Sequence, residues 1–176
     1  MQYFASWYEA QGYQVITLDD GCFEGTGDAR WHPGRRLLYV GYGYRTDERG
    51  VQSLREVLDV PVMALQLVDP RFYHLDTAFA PLDEVTALYV KEAFSTEGVA
   101  MLRAMFPRLV AVPVTEAIEG LSCNGHSPDG QHYLVQAGNE ITKKAVSALG
   151  YTVIEVDTSE FIKSGGSVYC MKMMLP

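Results

Sequence analysis

The sequence is poor in cysteine and in long apolar runs, and each shortage excludes a class of protein. Its three cysteines, Cys22, Cys123 and Cys170, stand 101 and 47 residues apart and form no CxxC pair. This spacing excludes a disulfide scaffold and predicts a reducing, cytoplasmic compartment. The longest apolar runs, such as 109–114, fall far short of the ~18 residues of a membrane span. Residues 1–4 predict no secretory signal.

Positive charge is also scarce. The 176 residues include 14 Lys and Arg against 22 Asp and Glu, a net charge of −8. That balance disfavours nucleic acids and anionic membranes as partners, because both require clustered Lys and Arg. It is compatible with a cationic small molecule. With 48% hydrophobic and 20% charged residues, the composition predicts one globular domain over residues 1–176.

One group of residues has the chemistry of metal ligands. Cys123, His126 and His132 lie close together in the sequence, but they lack a fourth ligand and stand among Gly, Pro and Asp residues. A structural zinc site needs four ligands in tetrahedral array. We therefore expect a loop here and no metal site.

A helix followed by strand-like segments repeats along the chain. Measured from Gly12, Asp59, Phe106 and Gly150, the intervals are 47, 47 and 44 residues. Helical signals cover residues 4–8, 46–58, 95–105 and 139–149. The strand-like segments are, in chain order, 12–18, the region around 23, 36–42, 60–68, 72–79, 86–90, 107–114, 121–125, 132–135, 150–156 and 168–173.

The size of the repeat predicts how its units pack. A unit of this length cannot bury its own apolar face, so neighbouring units are expected to pack around a common axis. The predicted fold class is therefore α/β, built from repeated helix-plus-three-strand modules. The fourth unit ends after its second strand, which predicts an open sheet edge at or beside Cys170.

A reactive residue stands in the second strand-like segment of each unit. These residues are Glu24, His74, Asn124 and Cys170, spaced by 50, 50 and 46 positions. Equivalent positions around an axis lie at similar distances from it, so the four should converge. An acid, an imidazole and a thiol in contact would be the orienter, base and nucleophile of a catalytic triad. Each residue alone has an ordinary structural interpretation, and their shared register favours the catalytic one.

Four segments of the sequence resemble the guanidino-group modifying enzymes of the pentein superfamily. They cover residues 23–29, 41–47, 67–78 and 165–170. That superfamily includes dimethylarginine dimethylaminohydrolase, arginine deiminase and glycine amidinotransferase, and the resemblance is closest to its bacterial dimethylaminohydrolase-like, amidinotransferase-like branch. The resemblance implies a five-module α/β propeller with the active site on its axis. This chain would hold about three and a half of those modules and lack the amino-terminal part.

The resemblance also implies a role for individual residues. Cys170 would be the nucleophile, His74 the acid/base, and Glu24 the carboxylate that holds His74. The expected reaction is attack on a guanidinium carbon through a covalent thiouronium intermediate. Water as acceptor makes the enzyme a hydrolase, and an amine makes it an amidinotransferase. No metal or organic cofactor is required by this scheme.

Residues of the substrate pocket follow from the same resemblance. Asp76 matches the position that grips the guanidinium in deiminases and amidinotransferases, whereas dimethylarginine hydrolases typically carry lysine there. Arg45 matches the arginine that pairs with the substrate carboxylate. Asp28, Arg30 and Asn124 are expected to line or support the pocket.

A different class of function stays open at this point. Because the resemblance implies an absent amino-terminal part, the chain is alternatively a non-catalytic pentein-fold binding or assembly module, or an inactive fragment. The expected partners are a small cationic guanidino substrate, and either a second copy of the chain or a separate amino-terminal segment.

Overall fold

Hydrogen-bonded caps fix where two of the repeated helices begin. The structure is a computed structural model that describes residues 2–18 and 20–172. Asp47 accepts a hydrogen bond from Gly50 N at the start of one helix, and Ser95 accepts one from Gly98 N at the start of another. Such caps satisfy backbone donors that have no partner inside the helix.

Short helices and strands alternate along the chain. The helices are α1 Gln2–Ala10, α2 Gly25–Asp28, α3 Glu48–Val57, α4 Leu75–Ala78, α5 Thr96–Met105, α6 Val114–Glu119, α7 Glu140–Ala148 and α8 Ser159–Ile162, with a 3₁₀ turn at Lys91–Ala93. The strands are β1 Ala29–Trp31, β2 Leu38–Tyr42, β3 Val62–Gln66, β4 Phe79–Pro81, β5 Thr86–Tyr89, β6 Arg108–Ala111, β7 His132–Gln136 and β8 Thr152–Val156.

The strands form three small sheets with one repeated topology. In the first sheet β1 pairs antiparallel with β2, and β2 pairs parallel with β3 across helix α3. In the second, β4, β5 and β6 repeat this pattern around α5. In the third, β7 and β8 are parallel across α7, and a single antiparallel bridge between His126 and Leu134 stands where the first strand would be.

The predicted period of the repeat is confirmed by these strands. The strands β2, β5 and β7 begin at residues 38, 86 and 132, which gives intervals of 48 and 46 residues. The α/β class and the helices near 46–58, 95–105 and 139–149 are confirmed as well. Among residues 2–18 and 20–172 no sheet closes on itself.

Several predicted strands are wrong. Residues 13–18 form no strand, because no neighbouring strand supplies hydrogen bonds to them. The segments around 23 and 72–79 instead form the one-turn helices α2 and α4 before β1 and β4 begin.

The other two second segments form turns. Residues 122–124 turn before the His126 bridge, and residues 168–171, which include Cys170, form a turn; residue 173 lies outside the described residues. Cys170 is therefore on a turn and not on an edge strand.

Aromatic packing joins the units. Tyr39, Phe79 and Phe106 are fully buried, with ring centroids 5.2 Å apart for Tyr39 and Phe79 and 5.7 Å for Phe79 and Phe106. Burying one such side chain contributes about 1.5–3 kcal/mol. This core supports the turns that carry the reactive residues. No helix in the described part of the chain is long and apolar enough to span a membrane.

Candidate active site

The repeated reactive residues stand at turns or at the starts of short helices. Glu24 and His74 are the residues immediately before α2 and α4. Asn124 lies in the turn before the His126 bridge, and Cys170 lies in the turn at 168–171. The four side chains meet in two pairs, Glu24 with His74 and Asn124 with Cys170, although the members of each pair are far apart in sequence. Among the described residues no hydrogen bond joins His74 to Cys170.

A charged group forms around Glu24. Its Oε2 lies 2.8 Å from His74 Nε2, and its Oε1 accepts a hydrogen bond of 3.0 Å from Arg45 Nη2. The hydrogen bond with His74, followed by the one from Arg45, lowers the pKa of the Glu24 carboxyl. Glu24 is therefore an anion at neutral pH, able to orient and stabilise a protonated imidazole.

The orientation of the His74 ring follows from its neighbours. Glu24 contacts Nε2 of the His74 ring. Within residues 2–18 and 20–172, Nδ1 of the ring has no hydrogen-bond partner, so Nδ1 is the nitrogen that is free to exchange a proton. A Cβ added at Gly27 would stand 3.0 Å from Nδ1, which is closer than ordinary contact. The absence of a side chain at Gly27 thus makes room for the imidazole.

A second group forms around the Cys170 sulfur. The thiol donates to Asp76 Oδ2 at 3.3 Å, and Asn124 Nδ2 donates to the sulfur at 3.2 Å. Cys170 is exposed as a residue. Burial of its sulfur, followed by the charge of Asp76, raises the pKa of the thiol. The neutral thiol of Cys170 is therefore favoured in the free protein.

Asp76 is a buried acid with one oxygen unused. The residue is 2% exposed, and burial raises the pKa of its carboxyl. Within the described residues its Oδ1 has no hydrogen-bond partner. A buried carboxylate without full hydrogen bonding is costly, so it provides a strong position for a cation that brings N–H donors.

Asp28 links the elements that carry these groups. Its Oδ2 accepts from Thr46 Oγ1 at 2.7 Å and its Oδ1 accepts from Leu75 N at 3.0 Å. Thr46 Oγ1 also receives the backbone N–H of Glu24 at 3.1 Å. Burial raises the pKa of Asp28. This network fixes the start of α4, and with it His74, against the Glu24 turn.

Arg30 is a buried residue that contacts the backbone and the aromatic ring next to the site. It is 2% exposed, and its Nη2 donates to the carbonyl oxygens of Asp76 at 3.4 Å and Cys123 at 3.1 Å. Its guanidinium lies 3.4 Å from the centre of the Tyr169 ring. Because Tyr169 precedes Cys170, Arg30 joins the Asp76 helix to the Cys170 turn through a cation–π contact.

The Cys123, His126 and His132 region forms a loop and one bridge. Cys123 is fully buried, and His132 Nδ1 lies 2.7 Å from Asp129 Oδ2. His126 pairs through its backbone with Leu134. In the described part of the chain no group of three His, Cys, Asp or Glu residues is arranged to hold a metal ion.

Comparison with known proteins gives the family. A family model described as "N,N dimethylarginine dimethylhydrolase, eukaryotic" matches residues 4–175. The chain belongs to this family. The resemblance found in the sequence to the dimethylarginine dimethylaminohydrolase branch of the pentein enzymes is thereby confirmed.

The relatives of this member of the dimethylaminohydrolase family include two kinds of enzyme, dimethylarginine dimethylaminohydrolases and arginine dihydrolases. The N(G),N(G)-dimethylarginine dimethylaminohydrolase of Mycobacterium tuberculosis is 40% identical over 168 residues, which are 95% of this chain and 54% of that protein. The N-terminal domain of ArgZ, an arginine dihydrolase of cyanobacteria, has been solved bound to product. It has also been solved covalently bound to a reaction intermediate.

Both ArgZ structures share this fold. Each has a TM-score of 0.86 and 32% sequence identity, and each match covers 96% of this chain and 62% of the other. The chain thus spans about half the length of the mycobacterial relative and under two thirds of the ArgZ domain.

Sequence reasoning missed residues that support the site. Gly27, Thr46 and Tyr169 each contact a reactive group or its carrier. All three lie inside the segments on which the resemblance rests, which was the available signal. The stacking of Arg30 on Tyr169 joins positions 139 apart and has no counterpart in the repeat.

Proposed function

We propose that the chain carries the catalytic site of a cysteine-dependent hydrolase that acts on the guanidinium carbon of an arginine-like substrate. One observation supports this most: the Cys170 thiol contacts a buried carboxyl, Asp76, whose second oxygen is unpartnered in the described structure. His74, which pairs with Glu24, immediately precedes the short helix α4 that holds Asp76. The names of the mycobacterial and cyanobacterial relatives favour hydrolysis.

Asp76 is the proposed guanidinium contact. Burial raises the pKa of its carboxyl in the free protein, and a guanidinium would favour the charged form by pairing with it. Donation to Oδ1 requires a substrate N–H. A nitrogen that carries two methyl groups has none, so this contact favours arginine or another unmethylated guanidine over dimethylarginine at that nitrogen.

The cation also prepares the nucleophile. Asp76 and burial hold the Cys170 thiol neutral, and a positive charge beside the sulfur stabilises the thiolate. The thiol passes its proton to His74 as the sulfur bonds to the guanidinium carbon and gives a tetrahedral adduct. His74 gives a proton to the departing amine as the carbon–nitrogen bond breaks, which leaves an S-linked thiouronium.

Hydrolysis completes the cycle. His74 takes a proton from water, and the resulting hydroxide adds to the thiouronium carbon. As the carbon–sulfur bond breaks, the hydroxyl proton passes to the sulfur, which gives a ureido product and the Cys170 thiol, and His74 releases its proton to solvent. Glu24 keeps the imidazole oriented and stabilises its protonated form, as its 2.8 Å contact supports. An amine in place of water would give amidino transfer, which is the second possible outcome.

Arg45 is proposed to bind the substrate carboxylate. Its side chain is 51% exposed and pairs with Glu24, so it can move to an incoming anion with little desolvation cost. In this proposal Asp28 lines the pocket through the elements it ties together, and Asn124 lies beside the nucleophile.

The wider setting is proposed from the family. We infer that the three observed sheets are modules of a five-module propeller, that the rest comes from an amino-terminal segment or a second copy, and that the protein works in the cytoplasm. The shared order of an antiparallel pair followed by a parallel pair in the first two sheets supports the module assignment.

A covalent trap tests the proposed function. A chloroacetamidine carries an amidinium like the substrate and is expected to alkylate Cys170, with protection by arginine. Cys22, which is exposed and shares no hydrogen bond with Asp76, is the internal control. Labelling of Cys22 and Cys170 at equal rates without protection would favour the alternative, a non-catalytic pentein-fold module.

A further inference from the structure

Asn124 has its whole amide engaged by the chain. Its side-chain oxygen accepts from Ser167 N at 3.0 Å and from Cys170 N at 3.4 Å. Its side-chain nitrogen donates to Asp76 O at 3.3 Å and to Cys170 Sγ at 3.2 Å. The residue is fully buried. An amide has two N–H groups and two acceptor positions, so nothing remains for a substrate.

The partners also fix which way the amide faces. The backbone N–H groups of Ser167 and Cys170 can only donate, so the oxygen of Asn124 must face them. The carbonyl of Asp76 can only accept, so the nitrogen must face it. The N–H that points at the sulfur is therefore determined by three backbone groups and does not depend on a choice between equivalent amide orientations.

From this arrangement we propose that Asn124 is a positioning residue that holds the nucleophile turn and supplies the N–H that stabilises the Cys170 thiolate. It acts on the nucleophile and not on the substrate. The inference rests on the proposed function, because it takes Cys170 as the nucleophile. It assigns to Asn124 a different task from the substrate contact expected at its position.

The surroundings of the sulfur make this donor important. Asp76 faces the sulfur at 3.3 Å and opposes its ionisation, as does burial. Tyr169 is the neighbouring titratable group, and Arg30 and Lys172 lie over its ring at 3.4 Å and 4.2 Å. Among the described side chains, only Asn124 donates a hydrogen bond to the sulfur.

The decisive variant is Asn124→Asp. It preserves the shape and the oxygen that holds the Ser167 and Cys170 N–H groups, and it replaces the donor to sulfur with an acceptor. Since a hydrogen bond to a charged group is worth about one to two pKa units, the measured pKa of the Cys170 thiol should rise by at least about 1. Asn124→Leu removes the donor without adding charge and should shift that pKa in the same direction.

The measurement is the pH dependence of Cys170 alkylation. Iodoacetamide modification is followed by mass spectrometry of the peptide, in a Cys22→Ser background, with far-UV circular dichroism to verify the fold. Asn139→Asp is the matched control, because Asn139 is 1% exposed and its nitrogen donates to Gly120 O and Gln136 O at 2.8 and 2.9 Å. It should leave the thiol pKa unchanged.

Steady-state kinetics separates this inference from its alternatives. We expect kcat of Asn124→Asp to fall about tenfold or more at neutral pH, with KM little changed. A raised KM with an unchanged thiol pKa would overturn the inference and assign Asn124 to the substrate. Loss of the folded signal in both Asn124 variants, with Asn139→Asp folded, would overturn it in favour of a purely structural role.

The two proposals can fail separately. If Cys170 is required for turnover but Asn124→Asp leaves its pKa unchanged, only the role of Asn124 is wrong. If the pKa rises as expected but Cys170 proves dispensable for turnover, the donor stands and the proposed function is wrong.

Discussion

The two reactive groups of the site differ in their charge state. Around Glu24 the charges are already formed and paired: the carboxyl contacts His74 and Arg45, is partly exposed, and has a lowered pKa. Around Cys170 charge is disfavoured, because burial raises the pKa of both the thiol and the Asp76 carboxyl. The charge on Glu24 is thus stabilised by its partners in the free protein, whereas ionisation of Cys170 and Asp76 is opposed by burial.

This difference assigns a separate task to each group. In the proposed mechanism, charge on Asp76 and on the Cys170 sulfur is unfavourable until a cation binds, so a guanidinium both pairs with Asp76 and favours the Cys170 thiolate. The Glu24 carboxyl needs no such change, because solvent and Arg45 already stabilise its charge. The charge of the substrate would thus activate Cys170 while the Glu24–His74 pair is unchanged.

The largest expected effect comes from removing the nucleophile. In the catalytically competent protein, Cys170→Ala should lower kcat by about 10⁴-fold or more, as loss of a nucleophile does in other covalent enzymes. Cys22→Ala is the matched control, since Cys22 is exposed and lies outside both groups, and it should keep near-normal activity. Release of the amine and ureido products measures both. An equal loss in Cys22→Ala would contradict the assignment.

Replacing the buried acid should separate ionisation from catalysis. In Asp76→Asn the negative charge that raises the pKa of the Cys170 thiol is gone, so the pKa in the free protein should fall and alkylation at neutral pH should speed up. Turnover should nevertheless drop about 10²- to 10³-fold, because the guanidinium loses its charged partner.

The same variant tests the link between the two effects. Alkylation rates and kcat/KM are measured on one preparation, with Asp157→Asn, an exposed aspartate outside the site, as control. A slower alkylation together with unimpaired turnover would show that Asp76 does not hold the cation.

A substitution that changes the space around His74, and not a charge, should have a smaller effect on kcat. A Cβ at Gly27 would approach His74 Nδ1 to 3.0 Å, so Gly27→Ala should tilt the imidazole and lower kcat about tenfold. Gly98→Ala is a matched control within helix α5, where the nearest atom to an added Cβ is at an ordinary 3.5 Å. It should leave kcat unchanged; an equal kcat in both variants would mean that His74 tolerates the contact.

The sequence predicted the repeat better than it predicted the local structure at the site. Helices α3, α5 and α7 and the strands they connect follow from apolar periodicity and capping residues. The segment 72–79 is rich in strand-forming aromatic residues, yet it turns into α4. Asp28 binds Leu75 N, and Thr77 Oγ1 binds His74 O, and these tertiary and local hydrogen bonds outweigh strand propensity.

The site shows the same division. The common register of Glu24, His74, Asn124 and Cys170 could be derived from spacing, because repeated backbone positions carry them. Which neighbours surround each side chain could not. Arg45 contacts Glu24, and Asn124 uses all of its side-chain donors and acceptors. Both features depend on the directions of the side chains, which cannot be derived from sequence spacing.

The smallest expected effect concerns the stability that Glu24 contributes through its contacts with His74 and Arg45. The pKa of Glu24 is lower in the folded protein than its ordinary value of 4.5, so its pairing stabilises the fold above that pH, and this contribution is lost as the pH falls through the folded pKa. Glu24→Gln should therefore reduce the free energy of unfolding at neutral pH by less than about 1 kcal/mol, since solvent screens the pair.

Melting curves at two pH values test the sign of this effect. At about pH 7 the variant should melt slightly below the parent protein, and at about pH 3, where the parent Glu24 is increasingly protonated, the two curves should converge. Glu119→Gln, at the exposed end of α6, is the control for removing a surface charge. A difference that grows on acidification would mean that Glu24 stabilises the fold in its protonated form, and the two groups of the site would then be alike in favouring neutral acids.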